Sequence, residues 1–274
     1  MINIFNYIDR PSPIHRLTGA TKLICVLLWS FAAMLTYDTR FLAVMPVLSV
    51  LLFGVSKIKL KDVSFMLGFT AAFMVLNNVM VFVFSPQHGM DIYGTQHILF
   101  GSGRYALTSE QLFYHLNLLL KYLSMIPIVL LFICTTNPSE FAASLNRIGV
   151  KYSIAYSVAL ALRYIPDIQR EYHDISQAQQ ARGIEMSKKE SLSKRLKSAS
   201  AILIPLILSS MDRIETISNA MELRGFGKNK KRTWYMGRRF SRADILCMVF
   251  CALLLGISLL LNYLNGSRFF NPFI

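Results

Sequence analysis

Two arginine–glycine pairs are the residues of this chain best suited to engage another molecule. Ile175, Ser176, Ala178, Arg182 and Gly183 are repeated, at the same internal spacing, by Ile217, Ser218, Ala220, Arg224 and Gly225. Each copy closes a stretch of helical periodicity. Glycine past the last helical residue supplies a left-handed cap, and an arginine beside it is favoured by the helix dipole while its planar fork suits a carboxylate. One such end is a common stop signal. Two with matching lead-ins describe a docking device and not an active site.

Catalytic chemistry finds little support elsewhere. Gly225-Phe226-Gly227-Lys228 has the wrong spacing for a phosphate loop and follows a helix instead of opening one. The alternative reading is a membrane-embedded enzyme acting on a lipid or isoprenoid. That chemistry usually needs clustered carboxylates with a metal, or a His-Glu-x-x-His pair, and neither pattern occurs. His173 and Asp174 are neighbours on a helix and face different directions. A secondary transporter would carry inverted repeats among its spans, whereas this repeat lies outside them. Cys247 and Cys251 share a helix face with no other soft ligand nearby in sequence, so packing is the better reading for them than metal binding.

The elements that must position the two arginines belong to a membrane protein. The chain has 274 residues, 54% hydrophobic and only 16% charged, with a mean hydropathy of +0.43, too apolar for a soluble domain of this length. The formal charge of +14 is the Lys/Arg excess of cytoplasmic loops, with no nucleic-acid recognition module to give it another meaning. Five stretches approach the length of a span: Thr21 to Tyr37, Phe41 to Val55, Phe65 to Phe84, His115 to Cys134 and Ile245 to Leu264. The second is short, so the first two form either two crossings, the preferred reading, or a tight hairpin about Tyr37-Asp38-Thr39-Arg40.

Basic residues set the expected orientation. Arg10, Arg16 and Lys22 precede the first span, and Lys57, Lys59 and Lys61 follow the second. Most of the remainder falls between Thr135 and Ala243. This places the N-terminus and that long region in the cytoplasm and the C-terminus outside. Ser85 to Gln111, with Gly89, Gly94, Gly101 and Gly103, is then an external segment read as a loop or a small hairpin, in which His88 and His97 read as plain loop residues. Asn77 and Asn78 suit hydrogen bonds between spans, Lys121 is placed to snorkel, and Pro127 to kink its helix. The run Lys228, Lys230, Lys231, Arg232, Trp234, Tyr235, Arg238 and Arg239 is expected to anchor the last span at an anionic leaflet.

Three helices are expected in the long basic region. The first starts at Asn137-Pro138-Ser139-Glu140, with Asn137 as cap and Glu140 at the capping-box position, and stops at Gly149. The second begins near Tyr152, is bent or broken at Pro166, and stops at Arg182-Gly183. The third runs from about Ser193 to Arg224, with Leu203, Leu206, Ser210, Ile214, Ile217 and Met221 on one stripe. Its apolar stretch Ala201 to Leu208 is too short to span a bilayer and must pack against other helices, the membrane interface or another protein.

The expected fold class is therefore an all-α polytopic membrane protein of about five transmembrane helices with a cytoplasmic region of long amphipathic helices. Residues 1–134 form the first four spans, 135–243 the cytoplasmic region, and 244–274 the last span and external C-terminus.

These residues resemble the transmembrane T component of energy-coupling factor transporters, ABC-type importers of vitamins and transition-metal ions. The resemblance covers nearly the whole chain, through His15-Arg16-Leu17-Thr18-Gly19-Ala20-Thr21-Lys22-Leu23, Thr135-Thr136-Asn137-Pro138-Ser139-Glu140, Arg163-Tyr164-Ile165-Pro166 and the two repeats. The first repeat ends in the family's Ala-Arg-Gly signature, while the second reads Leu223-Arg224-Gly225, departing at one position. The resemblance implies that Ala181, Arg182 and Gly183 fit a groove on one ATPase subunit, and Leu223, Arg224 and Gly225 a groove on a second. It also implies that an apolar helix face including Leu203, Leu206, Ile207, Ile214, Ile217 and Met221 contacts a separate substrate-binding S component. ATP and Mg would be held by the ATPases, leaving no cofactor in this chain. The expected role is to transmit ATP-driven motion to the S component.

Overall fold

The structure is a computed structural model that describes residues 10–101, 103, 105–183, 192–228, 233–234 and 237–273, without the side chains of 192–197. Among them the chain forms, in order, α1 (Pro13–Arg16), α2 (Gly19–Leu35), α3 (Thr39–Val55), α4 (Leu60–Phe84), α5 (His88–Tyr93), β1 (Ile98–Phe100), β2 (Leu107–Thr108), α6 (Ser109–Thr135), α7 (Pro138–Arg147), α8 (Tyr152–Ala181), α9 (Leu192–Leu223) and α10 (Arg242–Leu264). The fold is all-α apart from one antiparallel hairpin of β1 and β2. It divides into two compact units, 1–140 with 238–274, and 141–237.

In the first unit each of the five expected span stretches lies in a helix, the first as far as Leu35. α4, α6 and α10 are long and apolar enough to cross a membrane, while α2 and α3 are shorter apolar helices of 17 residues each. α4 buries almost nothing within the chain: Phe65, Phe69, Phe73 and Phe84 are all more than half exposed, as a lipid-facing helix should be. The core lies between the other four helices. Trp29, Ala32 and Ala33 of α2 meet Phe41 and Met45 of α3, Ile128 of α6, and Cys251 and Leu254 of α10. Small residues let these backbones approach, and polar side chains join them. Trp29 Nε1 donates to Ser124 Oγ at 3.0 Å, and the Ser258 hydroxyl to the Ala32 carbonyl at 2.9 Å. Cys25 packs on the same core, so Cys251 sits where packing was expected to put it.

The polar residues within the helices take the interhelical role. Tyr122 donates its hydroxyl to Asn77 Oδ1 at 2.8 Å, and Asn78 Oδ1 lies 3.1 Å from His115 Nδ1. Lys121 Nζ donates to the Met34 carbonyl and lies over the Tyr37 ring. Pro127 leaves the Leu123 carbonyl without its ladder donor, and Ser49 Oγ of α3 donates to it at 3.3 Å.

Several sequence expectations need correction. Lys22 is only 4% exposed, with Nζ donating to the Thr135 carbonyl at 2.7 Å, so it is a structural cation and not a loop charge. His97 is not a plain loop residue but is held by Glu110: its Nδ1 is 2.7 Å from Glu110 Oε1. Glu140 Oε1 accepts from the Gly19 amide at 3.0 Å, while Asp244 Oδ1 accepts from the Thr18 amide at 2.9 Å. The positive end of α2 thus receives two carboxylates from distant sequence. Of the expected basic anchor, Lys230, Lys231, Arg232 and Tyr235 lie outside the described residues.

Candidate docking site

Both arginine–glycine ends belong to the second unit, where α8 and α9 pack together. α8 continues through Pro166 to Ala181 without a break. The contacts fix its direction relative to α9: Gln179 Nε2 donates to the Ala201 carbonyl at 3.1 Å, while the Glu171 carboxylate, two turns earlier, accepts from the Ser209 hydroxyl and from Arg213 Nη2, the latter at 2.6 Å. Descending numbers on one helix meet ascending numbers on the other, so the pair is antiparallel. Ile202 at 1% exposure and Ala155 at 0% seal apolar contacts in this unit.

Pro205 interrupts α9 as Pro127 interrupts α6. It has no amide hydrogen to give to Ala201, four residues before it. Gln179 supplies that donor from α8. The kink-prone site is therefore stitched to the neighbouring helix.

The repeated ends have the geometry that glycine permits. Arg182 is the C-cap of α8, and Gly183 follows with φ of +85°, its amide donating to the Gln180 carbonyl at 2.9 Å. At the end of α9, Gly225 has φ of +65° and donates to the Glu222 carbonyl at 2.8 Å, and the Phe226 amide reaches back to the Met221 carbonyl at 2.9 Å. That pair of bonds is a complete Schellman cap. Phe226 then packs at 4.9 Å between ring centroids against Tyr156 and at 5.9 Å against Tyr152. Trp234 joins the cluster 5.3 Å from Tyr152 and donates Nε1 to Asn146 Oδ1 at 3.1 Å. The end of α9 is braced by four aromatic rings.

Ala181, Arg182 and Gly183 are exposed, as are Leu223 and Arg224, with Gly225 half-buried. Leu223 is 90% exposed, far more than a leucine at a helix end needs for capping. Because the helices are antiparallel, the two arginines stand at opposite ends of the pair. Arg182 is level with α9 near Ser198, and the climb from there to Arg224 is roughly 40 Å at about 1.5 Å per residue. The fold keeps the two ends apart.

The apolar face of α9 is only partly the one expected. Leu203, Ile207 and Ile214 are exposed, whereas Leu206, Ile217 and Met221 are half-buried. The continuous exposed stripe is Ile204, Ile207, Leu208, Met211 and Ile214, each more than half exposed. Ile204, Leu208 and Met211 were missed, although their spacing of three and four residues is the ordinary helical signal.

Comparison with known proteins bears on what such a molecule does. The profile of the family described as cobalt transport protein, CbiQ, matches residues 10–235. Among curated relatives, the energy-coupling factor transporter transmembrane protein EcfT of Listeria innocua is 26% identical over 260 residues, covering 92% of this chain and 94% of that protein. The EcfT of Streptococcus thermophilus is 27% identical over 271 residues, covering 96% and 98%. That of Exiguobacterium sibiricum is 29% identical over 178 residues, covering 62% of this chain and 66% of the relative.

Proposed function

The chain belongs to the CbiQ family as the transmembrane T component of an energy-coupling factor transporter, and from that premise we propose that it couples two ATPase subunits to a substrate-binding S component. Arg182 and Arg224, with Ala181, Gly183, Leu223 and Gly225, dock one ATPase each. The chain itself catalyses nothing. ATP and Mg are bound by the ATPases, whose motion passes along α8 and α9 to the S component, which then releases a vitamin or other micronutrient.

The observation that carries this reading is the antiparallel pairing of α8 and α9, which presents two arginine–glycine helix ends roughly 40 Å apart by the helical rise. A single bound protein rarely needs the same short motif twice at that separation; two partners do. Exposed guanidinium groups suit carboxylate-lined grooves. The exposed stripe on α9, with Leu203, Leu206, Ile217 and Met221 beside it, is the surface for the S component. The positive-inside rule supports a multi-pass protein of the bacterial cytoplasmic membrane, with N-terminus and coupling helices in the cytoplasm and C-terminus outside.

The test is affinity purification in mild detergent of the chain carrying Arg182→Ala and Arg224→Ala together. Loss of co-purifying ATPase subunits from a variant that still inserts is the expected result. Retained ATPases and undiminished solute uptake would overturn the docking assignment.

A further inference from the structure

The hairpin that precedes α6 has the wrong surface for water. Ile98, Leu99 and Phe100 of β1 are 55%, 58% and 81% exposed, and Tyr105 is 58% exposed. Ile98 pairs with Thr108 and Phe100 with the preceding residue, Leu107, with a bulge at Leu99 between them. Partners across a ladder share a face and successive residues of β2 point to opposite faces, so Ile98 and Phe100 project from opposite faces of the hairpin. A hairpin with one face on a protein core and the other in water would alternate apolar and polar residues. Here both faces are apolar, and Arg104 is the only charged residue of the sequence between positions 98 and 108.

Its height is set by the membrane helix it leads into. β2 ends at Thr108 and α6 begins at Ser109. The Ser109 amide donates to the His97 carbonyl at 3.0 Å, closing the base of the hairpin. The carboxylate of Glu110, fully buried in the first turn of α6, accepts from the Thr95 hydroxyl at 3.0 Å and from the His97 amide at 3.1 Å, and holds the His97 ring at 2.7 Å. These bonds tie the strand pair to the end of a helix that crosses the bilayer. The apolar surface of the spans reaches the hairpin at Leu107. Leu107 lines an open apolar groove of about 880 Å³ together with Val79 and Phe82 of α4 and Leu112, Leu116 and Leu119 of α6.

We propose that the hairpin of β1 and β2 is an interfacial membrane anchor, with Ile98, Leu99, Phe100 and Tyr105 seated at the headgroup and acyl boundary of the leaflet at the N-terminal end of α6. Apolar and aromatic side chains flanking a span favour that zone. The Glu110 clamp makes the anchor rigid, so it fixes the depth and tilt of α6 in addition to adding affinity for lipid. A protein partner would favour one apolar face with a polar rim; apolar side chains on both faces favour the bilayer.

The full chain carrying Phe100→Trp, and separately Leu99→Trp, is reconstituted in phosphatidylethanolamine and phosphatidylglycerol vesicles. A second set contains phosphatidylcholine brominated near the carbonyl end of its acyl chains, and the emission of the unaltered chain, which holds Trp29 and Trp234, is subtracted. At both positions the added emission should be blue-shifted, quenched about two-fold by shallow bromination and little affected by iodide. Quenching by iodide without an effect of bromination would mean that the hairpin stands in water. Emission quenched by neither, with the chain alone or with co-purified subunits, would mean that protein covers it. Either result overturns the proposal.

Discussion

Gln179 of α8 donates its side-chain amide to the carbonyl oxygen of Ala201 on α9, at 3.1 Å, and that oxygen is the acceptor that Pro205 leaves without a helical donor. Removing the amide strands a carbonyl and should cost about 1–3 kcal/mol. Gln179→Leu is therefore expected to lower the thermal midpoint of the detergent-purified chain. In a Pro205→Ala background the helix regains its own donor, and the same change should cost clearly less. Equal losses in both backgrounds, measured as a double-mutant cycle, would break the link between the two residues.

Gly225 occupies a left-handed backbone position, and a Cβ there would meet only the flexible Lys228 side chain, at 3.3 Å. The cost of alanine is thus conformational, about 1 kcal/mol, and falls on the cap that aims Arg224. Gly225→Ala should weaken ATPase retention on an affinity column several-fold, whereas Gly225→Asn, better tolerated in that conformation, should retain most of it. Equal behaviour of the two variants would remove cap geometry from the docking argument.

The stripe of Ile204, Ile207, Leu208, Met211 and Ile214 gains nothing from water. Ile207→Asp with Ile214→Asp places two charges on a surface that makes no core contact, so the chain should still insert and keep its ATPases. Loss of the S component alone, seen by subunit composition after purification, is the expected outcome. Simultaneous loss of the ATPases would show that the stripe serves folding of this unit.

Asp38, between α2 and α3, is fully buried and caps α3 through the Arg40 amide. Burial opposes its charge, but hydrogen bonds from the Arg40 guanidinium and amide and from Asn265 Nδ2 outweigh that penalty and hold the carboxyl below the usual carboxylate range. A carboxyl depressed on folding contributes stability that is fully present above its unfolded value, near 3.9, and fades as pH falls through its lower folded value. Thermal midpoints of the purified chain should decline over that acid interval. Asp38→Asn should lower the midpoint at neutral pH and flatten the decline; an unchanged acid limb would assign it to other groups.

Helix positions were legible because their signals are local. Asn137 before Pro138 caps α7, its Oδ1 accepting from the Ser139 amide at 3.0 Å, and Gly149, Gly183 and Gly225 all adopt the positive φ their positions imply. What stayed hidden depends on distant partners. Lys22 looks like a loop cation until Thr135 is folded beside it, and His97 looks unpaired until Glu110 reaches it. Pro166 was expected to bend or break its helix, and α8 passes through it unbroken, because a lost ladder bond is a local cost that packing along the rest of a long helix offsets. The repeat itself was plain in the sequence. Its antiparallel presentation was not, since relative direction is a property of packing.

That presentation has a consequence for the partners. Two antiparallel helices that end in the same motif are related by an approximate dyad lying between them and perpendicular to their length. A pair of ATPases arranged about its own two-fold axis meets such a bar with equivalent grooves at each end. Under the proposed docking, this quasi-symmetry suits two identical subunits or two different ones, and the difference between Ala181 and Leu223 is then the place where the symmetry is broken.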